Sequence, residues 1–186
     1  MVSASNPLFC AHEALLFCDS VGAIQPNMRA LAAPDLESLA RIDEELTAIR
    51  PAAATRAASI GIGKRLISMY ASISGDDNFP EIARNLPEGN AASAYALVFF
   101  HLGVPERDAL LAFGYSRLAG MVSAGLRLVS IGHQQGQRLL SKAIAQLPAA
   151  TEKILESAHE PLRSFNPRLD IQQMNHQYLY SRLFRS

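Results

Sequence analysis

The chain has 186 residues, 49% of them apolar and 18% charged, and its 17 basic side chains are balanced by 17 acidic ones. That composition excludes a disordered chain and suffices for one hydrophobic core. A zero net charge lacks the basic excess of a nucleic-acid binder. The first 28 residues carry no Lys or Arg, so no secretory leader is expected. The longest charge-free stretch, Gly89 to Pro105, is broken by Asn90, Ser93, His101 and Gly103 and is short of a membrane span. A cytoplasmic protein is expected. Cys10 and Cys18, on one helix, would be too far apart for a disulfide and read as free buried thiols.

Residues 1–7 are small and polar. Leu8 to Ser20 reads as a short helix with Leu8, Ala11, Leu15 and Cys18 on one side, ended by Gly22 and Pro26. Pro34-Asp35 starts the next helix, with an acid in its first turn and a stripe of Leu36, Leu39, Ile42 and Leu46. Five acids (Asp35, Glu37, Asp43, Glu44 and Glu45) crowd residues 35–45 against Arg41, and Glu44-Glu45 reads as a solvated acidic face. Arg50-Pro51 breaks the helix. Ala52 to Ile73 follows, with Ile60, Gly63, Leu66, Ile67 and Tyr70 helically spaced, then a turn cluster at 75–78. A short segment spans Phe79 to Leu86, and Pro87-Glu88-Gly89-Asn90 is a loop. Ala91 to Leu102 is an apolar helix stopped by Gly103.

Pro105 opens the stretch around which the chain is organised. Leu111, Leu118, Met121, Val122, Leu126 and Val129 keep helical spacing. Gly114, Ala119, Gly120, Ala124 and Gly125 lie among them, and each glycine costs about 1 kcal/mol relative to alanine in a helix, so close packing against its backbone is expected. A break at Ser130-Ile131-Gly132 leads to a second helix rich in amides, and residues 149–160 form another. With no competing strand pattern, the fold should be all-α: one helical bundle of about seven or eight helices over residues 1–186.

The last stretch, 165–186, carries Ile171, Met174 and Tyr178 at i, i+3 and i+7, with Leu179, Tyr180, Leu183 and Phe184 in further rows. From Arg163 onward four arginines (163, 168, 182 and 185) accompany one acid, Asp170. The tail either packs on its own bundle or docks on a partner through aromatic and guanidinium anchors.

Motifs for chemistry are weak. Gly61-Ile-Gly-Lys-Arg65 departs from a phosphate loop at two positions, with Ala58 for the first glycine and Arg65 for the hydroxyl. Lys64 and Arg65 therefore read as a solvated helix face. The histidines are scattered, none paired at i+3 or i+4 as a helical metal site would require. No serine or cysteine lies in a nucleophile elbow. No catalytic residue, metal or cofactor is assigned.

Two separated motifs carry a resemblance. The first is Val122-Ser-Ala-Gly-Leu-Arg127 followed by Ile131-Gly-His-Gln-Gln-Gly-Gln-Arg138. The second combines Pro167-Arg-Leu-Asp-Ile171, Met174-Asn-His-Gln177 and Ser181-Arg-Leu-Phe-Arg-Ser186. Together they resemble the urease accessory protein F family (UreF), clearly from about residue 91 onward and more weakly over 44–72. The chain departs from the family at His133 and Gln177, where Gln and Glu are usual, and it lacks the amino-terminal Leu-Pro-x-Gly-x-Phe signature.

The resemblance implies a non-catalytic, dimeric all-α scaffold. Such a scaffold joins a UreD/UreH-type accessory protein and a UreG-type GTPase on the urease apoprotein during nickel insertion, with residues 165–186 as a docking tail. The residues it singles out for partner binding are Arg127, Gly132, Gln134, Gln137 and Arg138 at the junction. In the tail they are His176, Tyr178, Tyr180, Arg182, Leu183 and Phe184. A structural alternative is that Gln134 and Gln137 cap the junction and Arg127 satisfies helix-end carbonyls. Rival functions are a small-molecule enzyme with its site at 130–138, and a shortened UreF-like adaptor that dimerises without maturing urease.

Overall fold

The computed structural model describes residues 19–128, 132–156, 171, 173–175 and 178. Among them the chain is all-α. The helices are α1 (Asp19–Gly22), α2 (Ile24–Ala32), α3 (Leu36–Ala48), α4 (Ala53–Ser74), α5 (Phe79–Ala83), α6 (Ala91–His101), α7 (Glu106–Leu128), α8 (His133–Ile144) and α9 (Leu147–Glu156). Most boundaries fall where the stops and caps of the sequence put them. Asp35 caps α3 by accepting the Ser38 N–H at 2.9 Å. Gly75 and Gly103 adopt φ values of 64° and 67° just beyond α4 and α6, a conformation glycine takes without strain.

The structure corrects the reading of Pro26. It does not end a helix. Residues 24–32 form α2, with Pro26 in the first turn, where a helix has no use for its missing N–H. Cys10, Cys18 and most of the helix expected from Leu8 lie outside the described residues.

Helix α6 is buried along most of its length, with Ala92, Ala94, Ala96 and Leu97 at 1% exposure or less. Helices α2, α3, α4 and α5 pack around it. The main core joins Ile24, Leu39, Leu46, Phe79, Leu97, Leu110 and Phe113, and each such side chain contributes about 1.5–3 kcal/mol on burial. Helix α7 reaches beyond this core. Its first half supplies Leu110 and Phe113, and Leu118 belongs to a second cluster with Ala143 and Leu147, which seats α8 and α9 on α7. By length and composition α7 would suffice to cross a membrane. Leu110, Phe113 and Leu118 of this helix are buried in the two clusters, and Arg117 is exposed midway.

A buried polar knot holds the loop before α6. Asp43 is fully buried, although it lies in the acid-rich stretch 35–45. Its carboxylate accepts the backbone N–H of Glu88, Gly89 and Asn90 at 2.9, 2.7 and 2.8 Å. The Asn90 amide donates to the Asp43 carbonyl and to Thr47 Oγ1. Its own oxygen accepts from Arg50 and Ser59 at 3.1 Å each. Every donor of that loop therefore has a partner, as buried backbone requires. Gly63 of α4 makes the approach possible: a Cβ there would lie 2.7–2.8 Å from the Asn90 carbonyl. The Gly61–Arg65 stretch thus has a packing role in mid-helix, with Lys64 and Arg65 exposed as expected.

At the other end of α6, His101 Nε2 lies 2.8 Å from Asp76 Oδ2. The His101 ring meets Tyr70 and Phe79 edge-on at centroid distances of 5.7 and 5.3 Å.

The α3 cap makes a testable pH prediction. Ser38, through its side chain and its backbone N–H, holds the Asp35 carboxyl below its ordinary value. A carboxyl depressed in the folded state adds stability above its unfolded pKa and loses it as pH falls through the folded one. The difference in thermal midpoint between wild type and Asp35→Ala should be present near neutrality and shrink below about pH 4. A difference constant from about pH 6 to about pH 2 would contradict this origin.

Candidate interaction surface

The junction of α7 and α8 combines one tight face with one open face. Helix α8 turns Gly136, Ala143 and the half-buried Leu140 toward α7. At Gly136 a Cβ would meet the Leu126 side chain at 2.8–3.1 Å. The tight contact here is thus of an α7 side chain on the backbone of α8, whereas the sequence predicts close packing on the backbone of α7, where Gly114 is buried. Gly120 and Gly125 have no atom within 4 Å of where a Cβ would sit, and Met121, expected on the inward stripe, is 52% exposed.

On the opposite side of α8, Gln134, Gln137 and Arg138 are all exposed and fall at i, i+3 and i+4, so they form one row. Gly132 is the N-cap residue, itself exposed, and no side chain caps the helix start there. Arg127, also exposed, lies in the last turn of α7 and donates from Nε to the Ser123 carbonyl at 3.3 Å. Arg127 thus bonds a carbonyl one turn back on its own helix. Among the described residues neither glutamine bonds to the start of α8.

The described part of the tail is open. Ile171, Met174 and Tyr178 are 54%, 38% and 79% exposed. His176, Tyr180, Arg182, Leu183 and Phe184 lie outside the described residues, as do Val129, Ser130 and Ile131.

A shallow groove elsewhere is lined by Met28, Arg29, Phe100, Val104 and Glu106. Its charged groups, Arg29 and Glu106, face each other at 3.5 Å. Among the described residues no three His, Cys, Asp or Glu side chains gather as metal ligands.

The residues that sequence reasoning missed are those of the Asp43 knot. A signal was present: Asp43 falls at i+4 from Leu39 and i−3 from Leu46, on the buried row of α3, where an acid needs partners.

The UreF family matches residues 12–144, which include the whole α7–α8 junction and stop short of the tail. The urease accessory protein UreF of Microcystis aeruginosa (strain NIES-843 / IAM M-2473) is 34% identical over 159 residues, covering 85% of this chain and 69% of the relative. That of Arthrobacter sp. (strain FB24) is 31% identical over 153 residues, covering 80% and 68%. That of Streptococcus salivarius (strain 57.I) is 29% identical over 161 residues, covering 84% and 68%. With one family spanning most of the sequence and relatives matched along most of the helices described above, this chain belongs to the UreF family.

Proposed function

We propose that this protein is a urease accessory scaffold. It bridges a UreD/UreH-type protein and a UreG-type GTPase on the urease apoprotein while nickel is inserted, and no bond is made or broken on it. In this reading residues 1–186 act as one UreF-like helical unit, a cytoplasmic homodimer, with 165–186 as its docking tail. The single observation that carries the proposal is the exposed polar row at the junction. Gln134, Gln137 and Arg138 project from a helix whose other face is fixed on α7 by Gly136 and Ala143. A rigid helix that holds side-chain donors outward suits protein contact, because little ordering is left to be done on binding. Arginine and tyrosine, present at the junction and in the tail, are favoured anchors of such interfaces. Relatives named urease accessory protein supply the biological setting.

The dimer contact is proposed on the open side of α7, where Met121 and Leu128 are seven residues apart and 52% and 53% exposed.

Complementation tests the role. A strain lacking its own UreF and carrying this gene should regain urease activity in nickel medium. Restored dimerisation without urease activity would leave only an adaptor that no longer matures the enzyme. Arg127→Ala should weaken partner binding about tenfold or more, near 1.4 kcal/mol. Its thermal midpoint should move little, as for other exposed substitutions. A large fall in midpoint with unchanged binding would make Arg127 a structural residue.

A further inference from the structure

No Asp or Glu occurs between Asp108 and Glu152, although the chain has 17 acids. The same stretch holds Arg117, Arg127, Arg138 and Lys142, and all four are exposed. Two of these cations stand on one line of α8. Gln134, Arg138 and Lys142 fall at i, i+4 and i+8, on one side of the helix, and each is exposed. Gly136 and Ala143 turn the other side toward α7, so the line faces solvent. Among the described residues the ion pairs are Arg29–Glu106, His101–Asp76 and Arg107–Glu152. Neither Arg138 nor Lys142 pairs with an acid among those residues.

We propose that this line receives an acidic helix of a partner protein, with carboxylates at i and i+4 paired to Arg138 and Lys142 and Gln134 bonding alongside. The proposal rests on the scaffold reading above and adds the chemistry of the partner. The spacing fits. Arg138 and Lys142 are about 6 Å apart along the axis at a rise of 1.5 Å per residue, and two glutamates at i and i+4 of an opposing helix match them. A guanidinium holds a carboxylate through two parallel bonds. An acid-free surface adds no like charge to repel the incoming one, and opposite charges steer the encounter. Nucleic acid fits less well, because its affinity comes from neutralising many phosphates and the line offers two cations. The chain's own acidic helix is also a poor mate. On α3 the exposed Glu37 and Glu44 flank Arg41, which is exposed on the same side at i+4 from Glu37. A second copy would therefore bring a cation onto the cationic line.

The test uses the full-length protein and two labelled alanine-based helices, one with glutamate at i, i+4 and i+8 and its twin with glutamine there. The glutamate helix should bind at least about tenfold more tightly than its twin. It should bind more weakly as salt rises and should shift the side-chain amide signals of Gln134. Arg138→Glu with Lys142→Glu should abolish the preference. Arg117→Glu, at a cation outside the line, should change affinity by less than about twofold, because screening confines the effect to nearby charges. All three positions are exposed, and the thermal midpoint checks that each variant is folded. Equal binding of the two helices, no saturable binding of the glutamate helix, or an equal loss on Arg117→Glu would overturn the proposal. So would tighter binding of a DNA duplex than of the glutamate helix, or a fall in the protein's own solution mass on the double reversal. The same variant is then mixed with a UreD/UreH-type protein and a UreG-type GTPase. Assembly by wild type that the double reversal leaves intact would overturn this proposal and spare the scaffold reading. Glutamate-helix binding at this line without assembly by wild type would overturn the scaffold reading and uphold the acidic preference of the line.

Discussion

Asp43→Ala should be the most damaging single substitution among the polar residues, lowering stability by about 4 kcal/mol or more. The change removes the acceptor of three backbone N–H groups at once, and a buried donor left unsatisfied costs about 1–3 kcal/mol. Gly89 and Asn90 are buried, so water does not readily replace the carboxylate there. Against a total of about 5–15 kcal/mol for a typical protein, this is a large fraction. At about 2–4 °C per kcal/mol for a chain this long, the thermal midpoint should fall by roughly 10 °C. Asp43→Asn should recover less than half, because its NH2 group would face a donor. Gly63→Ala provides an independent check, since its methyl would collide with the Asn90 carbonyl. A midpoint within about 2–3 °C of wild type for Asp43→Ala would mean that the loop is not held by this carboxylate.

Deleting residues 169–186 should abolish binding to the UreD/UreH-type partner, by about a hundredfold or more, and leave the helices folded. Ile171, Met174 and Tyr178 recur at i, i+3 and i+7 and stand in solvent. An apolar row left open at a chain end fits an anchor for a groove on another protein, and losing several such anchors exceeds about 2 kcal/mol in most interfaces. Far-ultraviolet circular dichroism and the thermal midpoint should stay near those of the full chain. A truncated protein that melts early or aggregates would place the tail in the core instead.

Much of the architecture was legible in the sequence because its signals are local. Gly75 and Gly103 mark helix ends, Asp35 and Gly132 mark starts, and Leu39, Ile42 and Leu46 mark an inward face. Pro26 misled because proline breaks a helix interior but suits a first turn, and the start of α2 has no side-chain cap to announce it. Asp43 misled for a different reason. Its neighbours Glu44 and Glu45 are partly or fully exposed, so composition suggested one acidic face. The partners that allow its burial come from residues 88–90, about 45 positions away, and no local pattern reports them.

The candidate surface was legible in part. Spacing alone groups Gln134, Gln137 and Arg138, and the structure aligns them in one exposed row. Glycines in α7 pointed to close packing on that helix's backbone, but Gly120 and Gly125 stand open and the tight contact falls at Gly136 of α8, which only tertiary packing decides. The exposed apolar row of α4 was invisible for the same reason. Ile62, Met69 and Ile73 are core-type residues, and only the finished fold leaves them outside.

The scaffold role is tested most directly by the solution mass of the purified full-length chain mixed with a UreD/UreH-type protein and a UreG-type GTPase. Light scattering should find one species containing two copies of this chain with both partners. If this chain emerges at its own mass while both candidate partners are folded and present in excess, it does not bridge them.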